Sequence, residues 1–596
     1  MKTLVNFIKK HFIFFLLLLI ITAQCIYLTI SFANNKHGFH SDELWNYGFA
    51  CSSTGTNIFR DNGTSELKNF NSWEDSHILY DYITIDRSER FDYASVYKNC
   101  ADDYHPFLGF MMLHFICSLF PGTWSVWYGF ALNLLFFIIQ QIFLYKLIRS
   151  LTGNDYFGIA GVLFFGLATA AEDILFFLRI YCPATALAVV LMYYMTDIYN
   201  HRNDTRLPKA SLIKLGIITL LGCLTLHEFI ILAFIAALIY GIYYIFSRHF
   251  KLGITFGISM IISALMSIAI FPATIPHLFG NTGTFGGHVK KYNFIFQFKI
   301  YVSYMFNDLF GIAPSPWKTM TGTYILYGII IFLFLFIPFC FIFRHEPWLK
   351  NFFVHIKDGF FAFIKKFRHF NFAFIPLLFS IIFILAINAK MTSVMNMGRV
   401  ANRYIMIIYP LMAAFSVSLL YYILSWLFKK KLVRYIICYS LVIIFSVLSI
   451  LLAPHCFRFN FPHAGMAIED IEGNANCIIM LSAPFLLTCT TNTLGTTSHF
   501  YATTYETALS ADYNDNSIDF SSAPLYLLLD VSTFETNNVG FGGINIDNIA
   551  EIKVDPAYDK DEYLDFFKNL DIATTFEHVG TDLNLFGRKV EIYKLN

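Results

Sequence analysis

The sequence predicts a polytopic α-helical membrane protein of about eleven spanning helices, followed by a C-terminal extracytoplasmic α/β domain. Three observations predict it. Only 14% of the 596 residues are charged and the mean hydropathy is +0.55, whereas a soluble domain carries about a quarter charged residues. Apolar runs of the roughly 20 residues needed to cross a hydrocarbon core of about 30 Å recur along most of the first 455 positions. Beyond Pro454 they give way to short β-rich runs and turn clusters.

The first element is an apolar run from Phe12 to Phe32 behind Lys2, Lys9 and Lys10. It is too long for a signal-peptide core and lacks a small-x-small cleavage site, so it reads as an uncleaved first span. Basic residues in short loops stay in the cytoplasm, which places the N-terminus inside. The polar stretch that follows, within an outward first loop at 33–123, is rich in Asp and Glu. The apolar segment that begins at His105 and ends at Pro121-Gly122 is short for a span. If it crossed, Lys146, Arg149 and every later basic loop would fall outside, so it is placed in the interface as an amphipathic helix.

Spans are then predicted near 12–32, 124–146, 156–172, 180–199, 213–227, 229–246, 252–271, 322–343, 372–388, 404–427 and 434–453. An odd count leaves the C-terminus outside. Two apolar runs meet at His227-Glu228 with almost no loop between them, which makes that boundary decisive for the count. The predicted division is a membrane domain at 1–454 and a soluble α/β domain at 455–596. In the latter, CIIML at 477–481 and LYLLLDV at 525–531 read as strands, and FGRKVEIYKL as one arm of a terminal hairpin.

A net charge of +1 gives no basic face for nucleic acid. Eleven cysteines without a CxxC pair give no zinc spacing. Cys51 with Cys100, and Cys477 with Cys489, are disulfide candidates if those segments face an oxidising compartment, and free thiols otherwise. Asn62-Gly-Thr is a glycosylation sequon on the outward side.

Three polar clusters stand at outward helix ends. The first contains Asp42-Glu43, adjacent carboxylates that point in different directions, so one can take a proton while the other orients its neighbour. The alternative is a solvated helix stop. The second contains Glu172-Asp173 with Arg179 and Tyr181. A charge at membrane depth needs a partner, and for Arg179 that partner is either a phosphate or one of the two nearby acids. The third contains Lys390, Arg399, Asn402, Arg403 and Tyr404, basic residues outside against the charge rule, where guanidinium forks suit phosphate oxygens. Headgroup contact explains one of them less awkwardly than the group. His105, His227-Glu228 and His277 also fall at outward ends, where a lone His is more often a hydrogen-bonded interface residue than a base.

The stretches FHSDELWNYGFA at 39–50, DYHPFLGFMMLHF at 103–115, AEDILFFLRIYCP at 171–183, LTLHEF at 224–229, FPATIPHLFG at 271–280 and GRVANRYIMIIYP at 398–410, in this order, resemble the GT-C class of membrane glycosyltransferases. The resemblance is to the branch of protein O-mannosyltransferases and lipid A aminoarabinose transferases. It implies transfer of a sugar from a polyprenyl-phosphate carrier to an envelope glycan, lipid or protein on the outer face of the plasma membrane. It further implies Asp42 as general base with Glu43 in support, and Arg179, Arg399, Arg403 and Lys390 on the carrier phosphate. Glu172, Asp173, Tyr181, His105, His227 and Tyr404 would support the site, and a divalent cation, Mg or Mn, would have Asp42 and Asp173 as candidate ligands. The C-terminal domain departs from the family pattern, which leaves the acceptor open. A transporter of lipid-linked sugar is a rival, but transporters show inverted repeats and the chain shows no such symmetry. A noncatalytic membrane sensor or assembly protein is the other rival.

Overall fold

The computed structural model describes residues 11–60, 66–280, 294–312, 371–392, 398–460, 462–531, 558–572, 575–585 and 588–595. Eight described helices are long and apolar enough to cross a membrane, from Phe12–Asn35 to Lys431–Leu452, and the chain is a polytopic helical membrane protein. A ninth crossing forms if Asp155–Gly166 and Thr169–Phe176, bent by 60°, count as one span. Of the eleven predicted spans, 322–343 lies outside the described residues. The run predicted at 213–227 is a helix of only 15 residues, Lys209–Cys223, or about 22 Å at 1.5 Å per residue, short of a full crossing. It stops because Leu226 is extended and the backbone restarts as a new helix at His227. The boundary at His227-Glu228 is therefore a real break between two helices.

Position in the bundle follows composition. Phe12–Asn35 and Lys431–Leu452 are mostly exposed and present Leu, Ile and Phe outward, whereas 83% of the apolar window of Tyr181–Asn200 is buried. That central helix is rich in Ala, Thr and Val, small residues that let neighbouring helices approach closely. The Leu108–Leu119 helix, 12 residues long, is too short to span, as expected of the interfacial segment.

After Pro454 the expected strands form. Asn476–Leu481 (β3), His499–Thr504 (β4) and Leu525–Asp530 (β5) run parallel, with β3 in the middle. Glu577–Leu585 (β6) and Arg588–Leu595 (β7) make the terminal hairpin, which pairs antiparallel with β5. Ala464–Gly465 (β2) closes one edge. The other edge comes from the first loop: Trp73–Asp75 (β1) pairs antiparallel with β4, Trp73 facing Tyr501. Side chains alternate across a strand, so Cys477, Ile479 and Leu481 join the core shared with the membrane helices, while Ile478 and Met480 face a second core under the Lys560–Lys568 helix. The Asn- and Gly-rich turn cluster NNVGFGG at 537–543 and the Asn62 sequon lie outside the described residues. Cys51, Cys100, Cys477 and Cys489 are free thiols.

Candidate functional site

The Ser41–Cys51 helix begins with a capping box. His40 Nδ1 accepts from Asp42 N–H at 3.0 Å, and the Glu43 carboxylate accepts from His40 N–H at 2.8 Å. Glu43 is fully buried and fully used: Lys36 Nζ donates to both its oxygens at 2.9 and 2.8 Å, and Leu178 N–H donates at 3.0 Å. Lys36 also donates to the carbonyl of Phe457. Glu43 thus ties together the loop entry, the turn before Tyr181–Asn200 and the exit from the last span.

Asp42 has the opposite character. Its side chain keeps 15% exposure, with Arg403 Nη2 at 3.5 Å and His40 Nδ1 at 3.6 Å. Burial would push its carboxyl up, but Arg403, followed by His40, Arg179 and His105, outweighs burial and holds it well below the usual carboxylate range. His40 is buried, which pulls its imidazole down to about 3 against the opposing pull of Asp42. Arg403 Nη1 lies 2.9 Å from His40 Nε2. A neutral ring has one acceptor nitrogen, so only one of its two neighbours, Asp42 N–H or Arg403, donates a full hydrogen bond to it at a time.

Arg179 sits in the turn between Thr169–Phe176 and Tyr181–Asn200, 5% exposed. It donates to the backbone carbonyl of Asp42 at 3.0 Å and to His105 Nε2 at 3.1 Å. Its Nε has no partner, and among the described residues no carboxylate contacts it. His105 Nδ1 lies 2.5 Å from Asp103 Oδ2, and with the proton on Nδ1 its Nε2 is the acceptor for Arg179. A small cavity lined by Asn46, Gly109, Gly129 and Asn133 opens against the guanidinium.

Glu172 and Asp173, the acids expected nearest Arg179, are engaged elsewhere. Glu172 takes His455 Nδ1 at 2.9 Å and Arg458 Nε at 2.5 Å. Asp173 accepts from Cys456 N–H and Asn402, each at 3.0 Å. Both acids therefore hold the segment that leads from the last span into the C-terminal domain. Neither acid is hydrogen-bonded or ion-paired with Arg179.

Residues Gly398–Ile408 form an 11-residue 3₁₀ helix, in which side chains three apart share a row. Arg399 and Asn402 consequently point together at Asp308: Arg399 is ion-paired with it, Asn402 donates to it at 3.2 Å, and Tyr409 donates at 2.5 Å. Arg403 falls on the next row and meets Asp42, with the Tyr404 hydroxyl 3.3 Å from Nη2. Lys390 is exposed at the end of Phe374–Met391. Tyr181 is buried and stacks on Phe177. His227 and His277 face each other, ring centroids 5.8 Å apart.

The residues brought together are thus Asp42, Arg403, Arg179, His40, His105 and Asp103, with Arg399 drawn into a separate buried network. A resident Mg or Mn ion does not fit them. Asp42 has a guanidinium beside it where a second carboxylate would be needed, Asp173 spends both oxygens on Asn402 and Cys456, and no group of three or more His, Cys, Asp or Glu converges among the described residues. Sequence reasoning missed His40, Lys36, Asp103, Asp308, His455 and Arg458. Two had a signal: Glu43 three residues after His40 has capping-box spacing, and Asp308 is an ionisable residue in an apolar helix.

No family model and no curated protein matches the chain. Among solved structures it is similar to ArnT from Cupriavidus metallidurans, at 10% identity with 97% of each chain covered, both in the apo state (TM-score 0.45) and bound to undecaprenyl phosphate (TM-score 0.42). It is also similar to the archaeal oligosaccharyltransferase AglB from Archaeoglobus fulgidus, in complex with an inhibitory peptide and a dolichol-phosphate, at 10% identity over 88% of this chain and 70% of that one (TM-score 0.44). Both neighbours have the GT-C fold. A likeness this distant assigns neither substrate nor residue roles to this chain.

Proposed function

We propose that this chain is a glycosyltransferase that moves a sugar from a polyprenyl-phosphate carrier to a hydroxyl of a cell-envelope glycan, lipid or protein, at the outer face of the plasma membrane. The observation that carries the reading is Arg179: a buried guanidinium held by neutral acceptors, beside an accessible carboxylate. A buried guanidinium with no carboxylate hydrogen-bonded to it is costly to desolvate, and a phosphate bound there would offset that cost. Arg403 stands on the other side of Asp42, so the two cations flank the base.

In this reading the acceptor O–H gives its proton to Asp42 while its oxygen attacks the anomeric carbon. The bond from that carbon to the phosphate oxygen breaks, and the polyprenyl phosphate leaves with the electron pair. A single in-line displacement inverts the anomeric centre. Arg179 and Arg403 oppose the charge that develops on the leaving phosphate. Glu43 is a positioning residue that acts through the backbone of His40 and Leu178. Arg399, held by Asp308, fixes the 3₁₀ helix that aims Arg403.

The test is transfer of labelled sugar from polyprenyl-phosphate donors by purified protein. Asp42→Asn is expected to lose roughly 10²–10⁴-fold in rate, the range of a general base. Arg179→Met is expected to lose roughly 10²–10³-fold, the range of one charge-stabilising donor. Full activity in Asp42→Asn, or no transfer from any donor by the wild type, sinks the proposal.

A further inference from the structure

The cavity against Arg179 is walled by Asn46 of the Ser41–Cys51 helix, Asn133 and Gly129 of Val126–Thr152, Gly109 of Leu108–Leu119 and the turn at 178–180. It has room for one water molecule and nothing larger. We propose that it holds one bound water shared by Arg179, Asn46 and Asn133, and that this water makes Asn46 a positioning residue for the Arg179 guanidinium. The water site rests on the cavity alone; its role rests on the transferase reading, in which Arg179 meets the carrier phosphate.

The polar atoms around the cavity are those that every other bond leaves over. Arg179, Asn46 and Asn133 are each 5% exposed or less. Arg179 donates from Nη1 to the carbonyl of Asp42 and from Nη2 to His105, and its Nε–H has no partner. Asn46 Oδ1 is buried and accepts from nothing among the described residues. Asn133 gives its two Nδ2 protons to the carbonyls of Leu175 and Phe177, each at 3.0 Å. Those two bonds settle which end of the amide is which, and its Oδ1 takes no donor among the described residues.

One ligand chemistry satisfies this set. A water accepts from Arg179 Nε–H and donates its two protons to the two amide oxygens, which makes three hydrogen bonds, the usual number for a buried water. With the Asn46 amide turned about, the water accepts from Nδ2 there instead, and the bonds still close. An anion would meet the Asn133 oxygen and a cation the guanidinium, so a neutral molecule is selected. The guanidinium is thereby held without being neutralised. Of its five N–H groups, the water, the Asp42 carbonyl and His105 take three, and one on each Nη is left for an outside anion. Asn46 lies four residues after Asp42, on the same side of the helix, so the helix that carries the base also fixes the cation.

The test is a density map of the full chain in lipid nanodiscs, at a resolution that shows ordered water, together with a titration by undecaprenyl phosphate. Asn133 is kept, because its two backbone bonds are structural. The wild type is expected to show one water between Arg179 Nε and the amides of Asn46 and Asn133. In Asn46→Leu, which keeps the volume and removes the amide, the water should be gone and the guanidinium displaced. Undecaprenyl phosphate should then bind roughly tenfold more weakly, the effect of one polar contact left unmade. Asn46→Ser keeps an oxygen and leaves space for a second water, so it should restore the guanidinium and most of the affinity, which a packing defect would not do. No water in the wild-type map, or Arg179 Nε bonded directly to protein, overturns the site. A guanidinium position and an affinity unchanged in Asn46→Leu overturn the positioning role. The water in place, with no undecaprenyl phosphate bound by the wild type, leaves the water site standing and removes the transferase reading instead.

Discussion

A carboxylate with a guanidinium 3.5 Å away is a poor proton acceptor, because the same charge that keeps it ionised lowers its basicity. On the proposed reading the donor phosphate competes for Arg403, and Asp42 regains basicity when the donor is bound. The pH–rate profiles carry the sign. The kcat/KM profile reports the free enzyme and kcat the loaded one, so the acid limb of kcat/KM for the donor should lie below the ordinary Asp range, and that of kcat should lie higher. Arg403→Met removes the charge that lowers the Asp42 pKa, so its acid limb in kcat/KM should move up. Coincident limbs in wild type and variant would mean that Arg403 does not set the basicity of Asp42. Glu43 predicts a different loss. Removing one partner of a buried pair costs about 3–5 kcal/mol, so Glu43→Ala should unfold at markedly lower temperature, and Lys36→Met with Glu43→Leu should recover part of that loss. Thermal unfolding of the three proteins in detergent decides it.

At the scale of elements, the exit from the last span is as constrained as the entry to the first loop. His37 and Gly38 donate backbone hydrogen bonds to Arg458 and Phe459, and Glu172 clamps His455 and Arg458 from within the bundle. Burial pulls the His455 imidazole down, but the Glu172 carboxylate outweighs it and holds the pKa above the usual value. A raised folded-state pKa means that the stability from this pair is fully present below the unfolded value of about 6.5 and is lost as pH rises through the folded one. The melting-temperature advantage of wild type over His455→Asn should therefore shrink between mildly acid and alkaline pH. A constant gap would show that the pair is not charged. The β1 strand is the other brace. Trp73 donates from Nε1 to the carbonyl of Tyr513 at 2.8 Å and packs on Tyr501 and Phe520. Trp73→Ala should cost about 3 kcal/mol, the low end for a large aromatic, and speed hydrogen exchange in β4 ahead of the membrane helices.

For the whole molecule, the site and its braces belong to neither the bundle nor the segment beyond Pro454 alone. Asp42 comes from the first loop, Arg179 from a turn at the end of a bundle helix, Arg403 from a 3₁₀ helix that leads into a span, and the Phe457 carbonyl that braces Lys36 from beyond Pro454. This arrangement requires the first loop, the site and the segment beyond Pro454 to share one side of the membrane, which we propose, on the charge rule, to be the outside. Asn514→Cys, at an exposed position on the C-terminal domain, should react in intact cells with a membrane-impermeant thiol reagent, while Lys429→Cys, in the basic segment between the last two spans, should react only after the membrane is opened. The reverse pattern would invert the topology.

What the sequence determined by itself is everything that depends on local composition. Apolar length located the described helices long enough to span, the short run after His105 stayed off the list of crossings, and alternating β-branched and apolar runs located β3, β5 and the terminal hairpin. These follow from transfer free energy and side-chain periodicity, which neighbours in sequence already carry. The tertiary structure decided the pairings. Glu43 reads as the twin of Asp42 in sequence, yet Lys36 and two backbone N–H groups consume it and leave Asp42 open. Arg399 and Arg403 look equivalent, yet the three-residue row of a 3₁₀ helix sends one to Asp308 and the other to Asp42. Glu172 and Asp173 sit six or seven residues from Arg179 and still turn away from it, towards a segment nearly 300 positions later. Which charge meets which is set by packing between elements remote in sequence, and hydropathy and spacing hold no record of it.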